Sequence, residues 1–325
     1  MTANRKFSGE FTDFDEIRHK KSHCETIIEV NNKWMVEHPD ECEPQKTERE
    51  NAQASVEITR LEAILATEPP PPELPPRQPL FKVSGVLEEF TVQKVKGYFT
   101  DREYDPEAFA REEDRNQVGA LLVAMTGNAA GSAVTGQSDI RVSDRCDFVR
   151  GKINGIPFHG WLGKTHVRAG DYVEIAVAGD GDHYLIYAIM LPELRTISIT
   201  PRCCRGREAE ISFGKYGMMF ISSICLIFLA YLCIRGADWE SIAVCAGVFA
   251  FMLAMAYFVA MRSIRKKPDL TTLLAESIFL ALEFPDPKWI DLPKITKTKL
   301  QNEPPLNSTR PMPDRNDRQS YFYYY

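Results

Sequence analysis

YGMMFISSICLIFLAYLCI (residues 216–234) and IAVCAGVFAFMLAMAYFVAM (residues 242–261) are two runs that carry no charged residue. At 1.5 Å per helical residue each is about 30 Å long, the thickness of a bilayer's hydrocarbon core. The seven residues between them, Arg235-Gly236-Ala237-Asp238-Trp239-Glu240-Ser241, are too few for a domain and suit a tight turn. Tyr216 and Trp239 sit near the ends of the runs, where aromatic side chains favour the membrane interface. Ala243, Gly247, Ala250 and Ala254 fall at small-xxx-small spacing in the second run and predict a face for close helix packing. A helical hairpin inside a soluble core is the alternative, but two charge-free runs of this length favour spanning.

The flanks orient this hairpin. Arg202, Arg205, Arg207 and Lys215 precede it, and Arg262, Arg265, Lys266 and Lys267 follow it. The intervening turn has one arginine and two acids, so the positive-inside rule places both termini in the cytoplasm. The basic cluster also suits anionic lipid head groups, making the bilayer itself the first expected partner.

The 325 residues allow one soluble domain besides the hairpin, and a net charge of −6 disfavours a nucleic-acid partner. Upstream of the hairpin, residues 81–87 and 91–99 are β-rich. Further strands are expected at 147–153, 156–162, 172–177, 183–190 and 196–200, separated by turn residues. Asn154-Gly155 and Gly179-Asp180-Gly181 each predict a hairpin. Short strands at this spacing predict a small barrel or sandwich of the OB or SH3-like size. A helix over 106–125 and a small-residue loop over 127–136 interrupt it. The fold class expected is therefore α+β, a small β-rich domain followed by a two-helix transmembrane hairpin.

Four segments follow. Residues 1–79 are polar, with one helix near 52–66 and a proline run over 68–79 that reads as an extended spacer, or as a polyproline ligand for an aromatic groove. Residues 80–205 form the β-rich domain with one inserted helix. Residues 206–267 hold the hairpin. Residues 268–325 hold a helix capped by Asp269, with Leu270, Leu273, Leu274, Ile278, Phe279, Leu280 and Leu282 on its apolar face, then a tail whose last twenty residues are expected to be poorly ordered.

Catalytic chemistry finds little support. Gly160-Trp161-Leu162-Gly163-Lys164-Thr165 resembles a phosphate-binding loop, but the position five before Gly163 is Phe158, so the spacing fails. His159, His166 and His183 lack the spacing of a ligand set with Asp180 or Asp182, and no cysteine pair supports zinc. Cys203-Cys204 stand beside Arg205 and Arg207, which lower a thiol pKa, yet no partner base is evident. The eight scattered cysteines suggest a reducing compartment. Phe158, Trp161 and Tyr172 would be the aromatics of a nucleic-acid face, though barrel-core roles suit them better. No catalytic motif is recognisable, and neither a metal nor a cofactor is expected. His159, Trp161 and Arg195 are the candidates for an interaction surface.

Several fragments carry a resemblance. Val118-Gly119-Ala120-Leu121-Leu122 with Thr126-Gly127-Asn128-Ala129-Ala130, Phe158-His159-Gly160-Trp161-Leu162, Gly170-Asp171-Tyr172-Val173-Glu174, Tyr187-Ala188-Ile189, Leu194-Arg195-Thr196-Ile197-Ser198, Ala275-Glu276-Ser277-Ile278-Phe279 and Phe284-Pro285-Asp286-Pro287 occur in this order. Together, over roughly residues 80–292, the chain resembles a bacterial family described as type VI secretion system effectors. The resemblance implies a bacterial inner-membrane protein linked to interbacterial competition, with secretion-system components or an immunity protein as partners. It supplies no catalytic residue. Three readings follow: an accessory whose hairpin is an anchor for a β-rich interaction domain, a toxin whose hairpin oligomerises and permeabilises a membrane, and a membrane-tethered enzyme.

Overall fold

Strand β1 (Phe81–Tyr98) is the spine of the structure, a computed structural model that describes residues 11–38, 43–111, 113–114, 142–235, 238–266, 268–302, 309–314, 317 and 319–325. Its length lets it serve two neighbours. Residues 81–86 pair with β4 (Tyr172–Asp180), and residues 87–98 pair with β2 (Ser143–Ile153), both antiparallel. The register shifts between Leu87 and Glu89, a bulge that bends one strand around a corner. Sequence alternation implies two strands here; they are one, because the bulge breaks the period-2 pattern without breaking the chain's pairing.

β2 turns into β3 (Ile156–Leu162) through Asn154-Gly155, whose φ values of 51° and 79° are the left-handed pair that a tight hairpin turn requires. β4 turns into β5 (His183–Leu191) through Gly181, φ 64°. A short parallel pairing, Phe158↔Tyr184 and His159↔Leu185, then joins β3 to β5 and closes a five-stranded barrel. The closure depends on Gly160, because a Cβ there would lie 2.3 Å from the Ile186 carbonyl oxygen. Of the barrel and sandwich that strand spacing allowed, the barrel forms.

Alternation along the strands fills two cores. Leu87, Val149, Ile153, Phe158, Leu162, Val173, Ile175, Val177, Ile186 and Ile189 point into the barrel. The opposite faces of the same strands, including Phe148, Ala176, Tyr187, Ala188 and Met190, join a second cluster outside it. The helix α6 (Leu270–Ala281) contributes Leu274, Ala275, Ile278 and Phe279 to that outer cluster. Leu280, on the expected apolar face, is 70% exposed.

The sheet continues past the barrel. β6 (Thr196–Ile199) pairs with β5, and β7 (Phe322–Tyr324) pairs with β6. The aromatic tail is therefore ordered, contrary to the expectation from composition. It satisfies an otherwise open strand edge and buries Tyr321, Phe322, Tyr323 and Tyr324. The Tyr324 amide donates to Thr296 Oγ1 (2.9 Å) on α7 (Leu292–Asn302).

The N-terminal region holds two helices where one was expected. α1 (Phe14–Glu37) and α2 (Pro44–Leu65) pair with each other, joined by Lys21–Glu62 (2.8 Å) and by Asn31–Asn51 (2.9 Å). Asp13 caps α1, its Oδ1 accepting the Glu16 amide at 3.1 Å. The polarity of α1 hid it from hydrophobic periodicity, and it is anchored by the buried Phe14, with Ile17 packed against the same core. α3 (Asp101–Tyr104) is one turn, and residues 106–111 are helical. The remainder of the expected 106–125 helix beyond residue 114, and the 127–136 loop, lie outside the described residues.

Both apolar runs are helical, within α4 (Arg207–Ile234) and α5 (Trp239–Lys266), which extend past the expected limits. Among the described residues, one stretch, Arg207–Phe228, is long and apolar enough to cross a membrane, and only 7% of it is buried inside the protein. Ala243–Val259 is a shorter apolar helix. Phe220, Ile227, Phe251 and Phe258 are all exposed. The first turns of α4 belong to the folded domain: Ala209 and Ile211 are buried, and Glu276 of α6 accepts the Arg207 amide (2.9 Å) while pairing with its guanidinium (3.2 Å). That places a carboxylate at the positive end of the helix dipole.

Candidate functional site

β3 presents its odd-numbered residues away from the barrel interior, and two of the three residues selected from sequence stand there, His159 and Trp161. Across β2 the register sets Arg150 opposite His159 and Phe148 opposite Trp161. Trp161 packs edge-on against Phe148 (5.4 Å between centroids) and Phe99 (6.2 Å). The Arg150 guanidinium lies over the Phe148 ring at 5.1 Å. His159 stacks on His183 at 4.9 Å, with an interplanar angle of 22°. Burial, followed by the neighbouring His183 and Arg150 charges, holds the His159 imidazole below its ordinary pKa. His183 in turn lies 3.3 Å from Asp180 Oδ2 and 3.1 Å from Asp182 Oδ1.

The third selected residue is elsewhere. Arg195 occupies the β5–β6 turn with φ 50°, at the opposite end of β5 from His183. Its carbonyl accepts the Tyr325 amide at 3.2 Å, so it serves the tail.

The face is covered by the proline-rich segment. The Trp161 indole N–H donates to the Pro70 carbonyl (2.9 Å), and the Tyr187 hydroxyl donates to the Glu73 carbonyl (3.0 Å). Gln93 Nε2 of β1 donates to the Thr67 carbonyl (3.0 Å). Pro69 and Leu74 are buried while Pro70, Pro71 and Pro75 are exposed. The segment is thus laid on its own domain; the expectation of a plain spacer gives way because its carbonyls find side-chain donors on the barrel. Tyr187, the second donor, was not selected from sequence. Its signal was the alternation of β5, in which Tyr187 falls on the outward face.

Two spaces remain beside the segment. A cavity of about 230 Å³ lies between residues 70–74 and the face made by His159, Trp161, Leu185, Tyr187 and Thr200. A groove of about 510 Å³ lies on the other side of Pro70, lined by Phe148, Arg150, His159 and His183.

The remaining sequence candidates are structural. The Gly163, Lys164 and Thr165 amides donate to the Ile199 carbonyl (2.8 Å), the Ser320 carbonyl (2.6 Å) and Asp147 Oδ2 (2.8 Å), so this turn holds the C-terminal tail. Cys203 is fully buried and bonds the Tyr104 hydroxyl (3.3 Å). Burial drives the thiols of Cys203 and Cys204 upward and outweighs the opposing pull of Arg205 on Cys204, so neither is an activated nucleophile. Among the described residues no group of three or more His, Cys, Asp or Glu side chains is placed to hold a metal ion. Ala243, Gly247, Ala250 and Ala254, the expected packing face, lie along α5. All four are exposed, and a Cβ at Gly247 would touch nothing within 4 Å. Between α4 and α5, Phe249 packs edge-on to Phe228 at 6.1 Å.

No protein-family model, no curated protein and no solved structure matches this chain.

Proposed function

We propose that this chain is a bacterial inner-membrane protein in which α4 and α5 span the bilayer as a hairpin and anchor a cytoplasmic barrel that binds other proteins, in the service of type VI secretion as an effector or accessory. The observation that carries the anchor is the uncovered apolar surface of α4 and α5, which the other described residues leave unburied. Basic residues flank both outer ends, as cytoplasmic flanks require. The barrel's strand order, 1-2-3-5-4 with a parallel β3–β5 closure, supports an OB-like reading, and such barrels bind ligands on a sheet face and its adjoining loops. The secretion link rests on the resemblance of residues 80–292.

Expression of the full chain in a heterologous bacterium tests this reading. The protein is expected in the carbonate-resistant inner-membrane fraction. A cysteine introduced at Asp238 is expected to be labelled from the periplasm, and one introduced at the exposed Lys46 to be protected. Recovery in the soluble fraction sinks the anchor. A second reading, a lesion-forming toxin, draws support from the exposed small-residue face of α5, which is available to another copy. It predicts membrane depolarisation abolished by Gly247→Leu, whereas a steady potential in the expressing cells removes it.

A further inference from the structure

We propose that the outer face of β3 and β5 is a receptor for polyproline helices, that residues 69–74 are its resident ligand, and that a proline-rich segment of a partner protein displaces them. This rests on reading the barrel as an interaction domain, and it names the partner's chemistry.

The spacing of the hydrogen bonds carries the assignment. The β3–β5 face donates to the carbonyls of Pro70 and Glu73, three residues apart in a proline-rich stretch that is neither helix nor strand. A polyproline helix repeats every three residues and rises about 9 Å per turn, so carbonyls three residues apart lie along one side of it. Proline has no amide hydrogen, so a receptor for such a helix must bring donors to the ligand's carbonyls and flat apolar surface to its rings. Trp161 and Tyr187 supply both. Thr200 Oγ1 donates to both the Trp161 carbonyl (3.3 Å) and the Tyr187 carbonyl (2.9 Å), which sets the two residues side by side. Gly160 permits that approach, since any side chain there would strike the Ile186 backbone.

The resident segment underfills its site. Pro69 and Leu74 are its buried residues, and the cavity of about 230 Å³ stays open between residues 70–74 and the face. A partner segment with a larger apolar side chain at the position of Pro72 would fill it. Asp180 lines the same cavity and favours a basic residue on the ligand. The groove of about 510 Å³ beyond Pro70 extends the surface toward Phe148 and Arg150. A tethered ligand acts at an effective concentration on the order of millimolar, so the resident segment sets a threshold that a trans ligand must exceed.

The test uses the full chain in detergent micelles and a fluorescein-labelled peptide of residues 67–79, read by anisotropy. Replacing Pro69, Pro70, Pro71, Pro72 and Leu74 with glycine and serine empties the face. The emptied variant is expected to bind the peptide at least tenfold more tightly than the unaltered chain. Adding Trp161→Phe, which keeps a ring and removes the donor, is expected to weaken binding about tenfold. A folded emptied variant that ignores the peptide overturns the proposal, and so does indifference to Trp161→Phe. Should the emptied variant not fold, the unaltered chain labelled with 5-fluorotryptophan decides. Millimolar peptide shifts the ¹⁹F signal of Trp161 if displacement occurs, and a saturating titration that leaves it unmoved overturns the receptor. Membrane fractionation of the same samples reads the anchor separately, so losing the receptor leaves a result distinct from losing the membrane protein. Peptide binding by an isolated soluble pool would reject the anchor while upholding the receptor.

Discussion

Asp147, on β2, is 2% exposed, and its Oδ1 has no hydrogen-bond partner among the described residues, while Oδ2 accepts the Thr165 amide. Burial pushes its carboxyl up to about 6, against the pull of that amide and of Lys94 and Lys164. The folded state therefore binds a proton more tightly than the unfolded chain. Stability from this group is greatest below the unfolded value of 3.8 and falls as pH rises to about 6, by on the order of 3 kcal/mol. His166 acts in the opposite sense. It packs edge-on against Phe322 at 5.2 Å, and burial, with Lys164 and Lys94 nearby, brings its imidazole down to about 4. Its contribution is present above the unfolded value of 6.5 and is lost as pH falls toward 4. Asp147→Asn keeps an oxygen for the Thr165 amide and removes the buried charge. Thermal unfolding of that variant is expected to show a gain of roughly 1–3 kcal/mol at pH 7.5 and none at pH 4, leaving the acid loss due to His166 uncompensated. An equal loss at both pH values would refute the assignment of Asp147 as a buried, destabilising charge.

At the scale of elements, the strands and their turns were legible because alternation and Asn154-Gly155 or Gly181 act locally. Strand β3 appears where the pattern placed it, at Ile156–Leu162. The closure of β3 on β5 was not legible, since it joins residues distant in sequence through two parallel pairs. β7 was hidden for a similar reason: a run of tyrosines reads as polar and terminal until β6 offers it an edge. Gly163 is the contact that admits it, as a Cβ there would lie 2.3 Å from the Ser320 carbonyl oxygen and 2.4 Å from Tyr321 Cβ. Gly163→Ala is accordingly expected to dislodge the tail at a cost of about 1–3 kcal/mol. Hydrogen exchange reports it as faster exchange at residues 196–199, with the barrel strands β1 and β2 unaffected. Unchanged protection there would mean that the tail tolerates the added methyl group. The site was half legible: His159 and Trp161 could be picked out as polar and aromatic residues of one strand. The proline segment's place on them could not, because nothing local links residue 70 to residue 161.

At the scale of the whole molecule, the junction between barrel and hairpin is built from ion pairs. Arg207 meets Glu276, Arg205 meets both Asp291 and Glu210 at 3.3 Å, and Arg202 meets Asp144 at 2.7 Å. Glu276 is mostly buried and also receives the Arg207 amide, so Glu276→Ala orphans two donors. The expected cost is about 1–3 kcal/mol, with new proteolytic cleavage near Arg207 as its signature. Resistance to protease equal to that of the unaltered chain would show that α6 holds α4 by packing alone. The unbroken course of α4 has a mechanical meaning. Nine helical steps, roughly 14 Å, take α4 from Arg207 to Tyr216 with no break, since the helix is continuous from the junction to Ile234. A helix clamped at its base is a lever rather than a tether. Any tilt of α4 must carry the barrel with it, swinging the proline-covered face through the same angle. The protein therefore has a fixed bearing: which way that face looks is decided by how the helix stands.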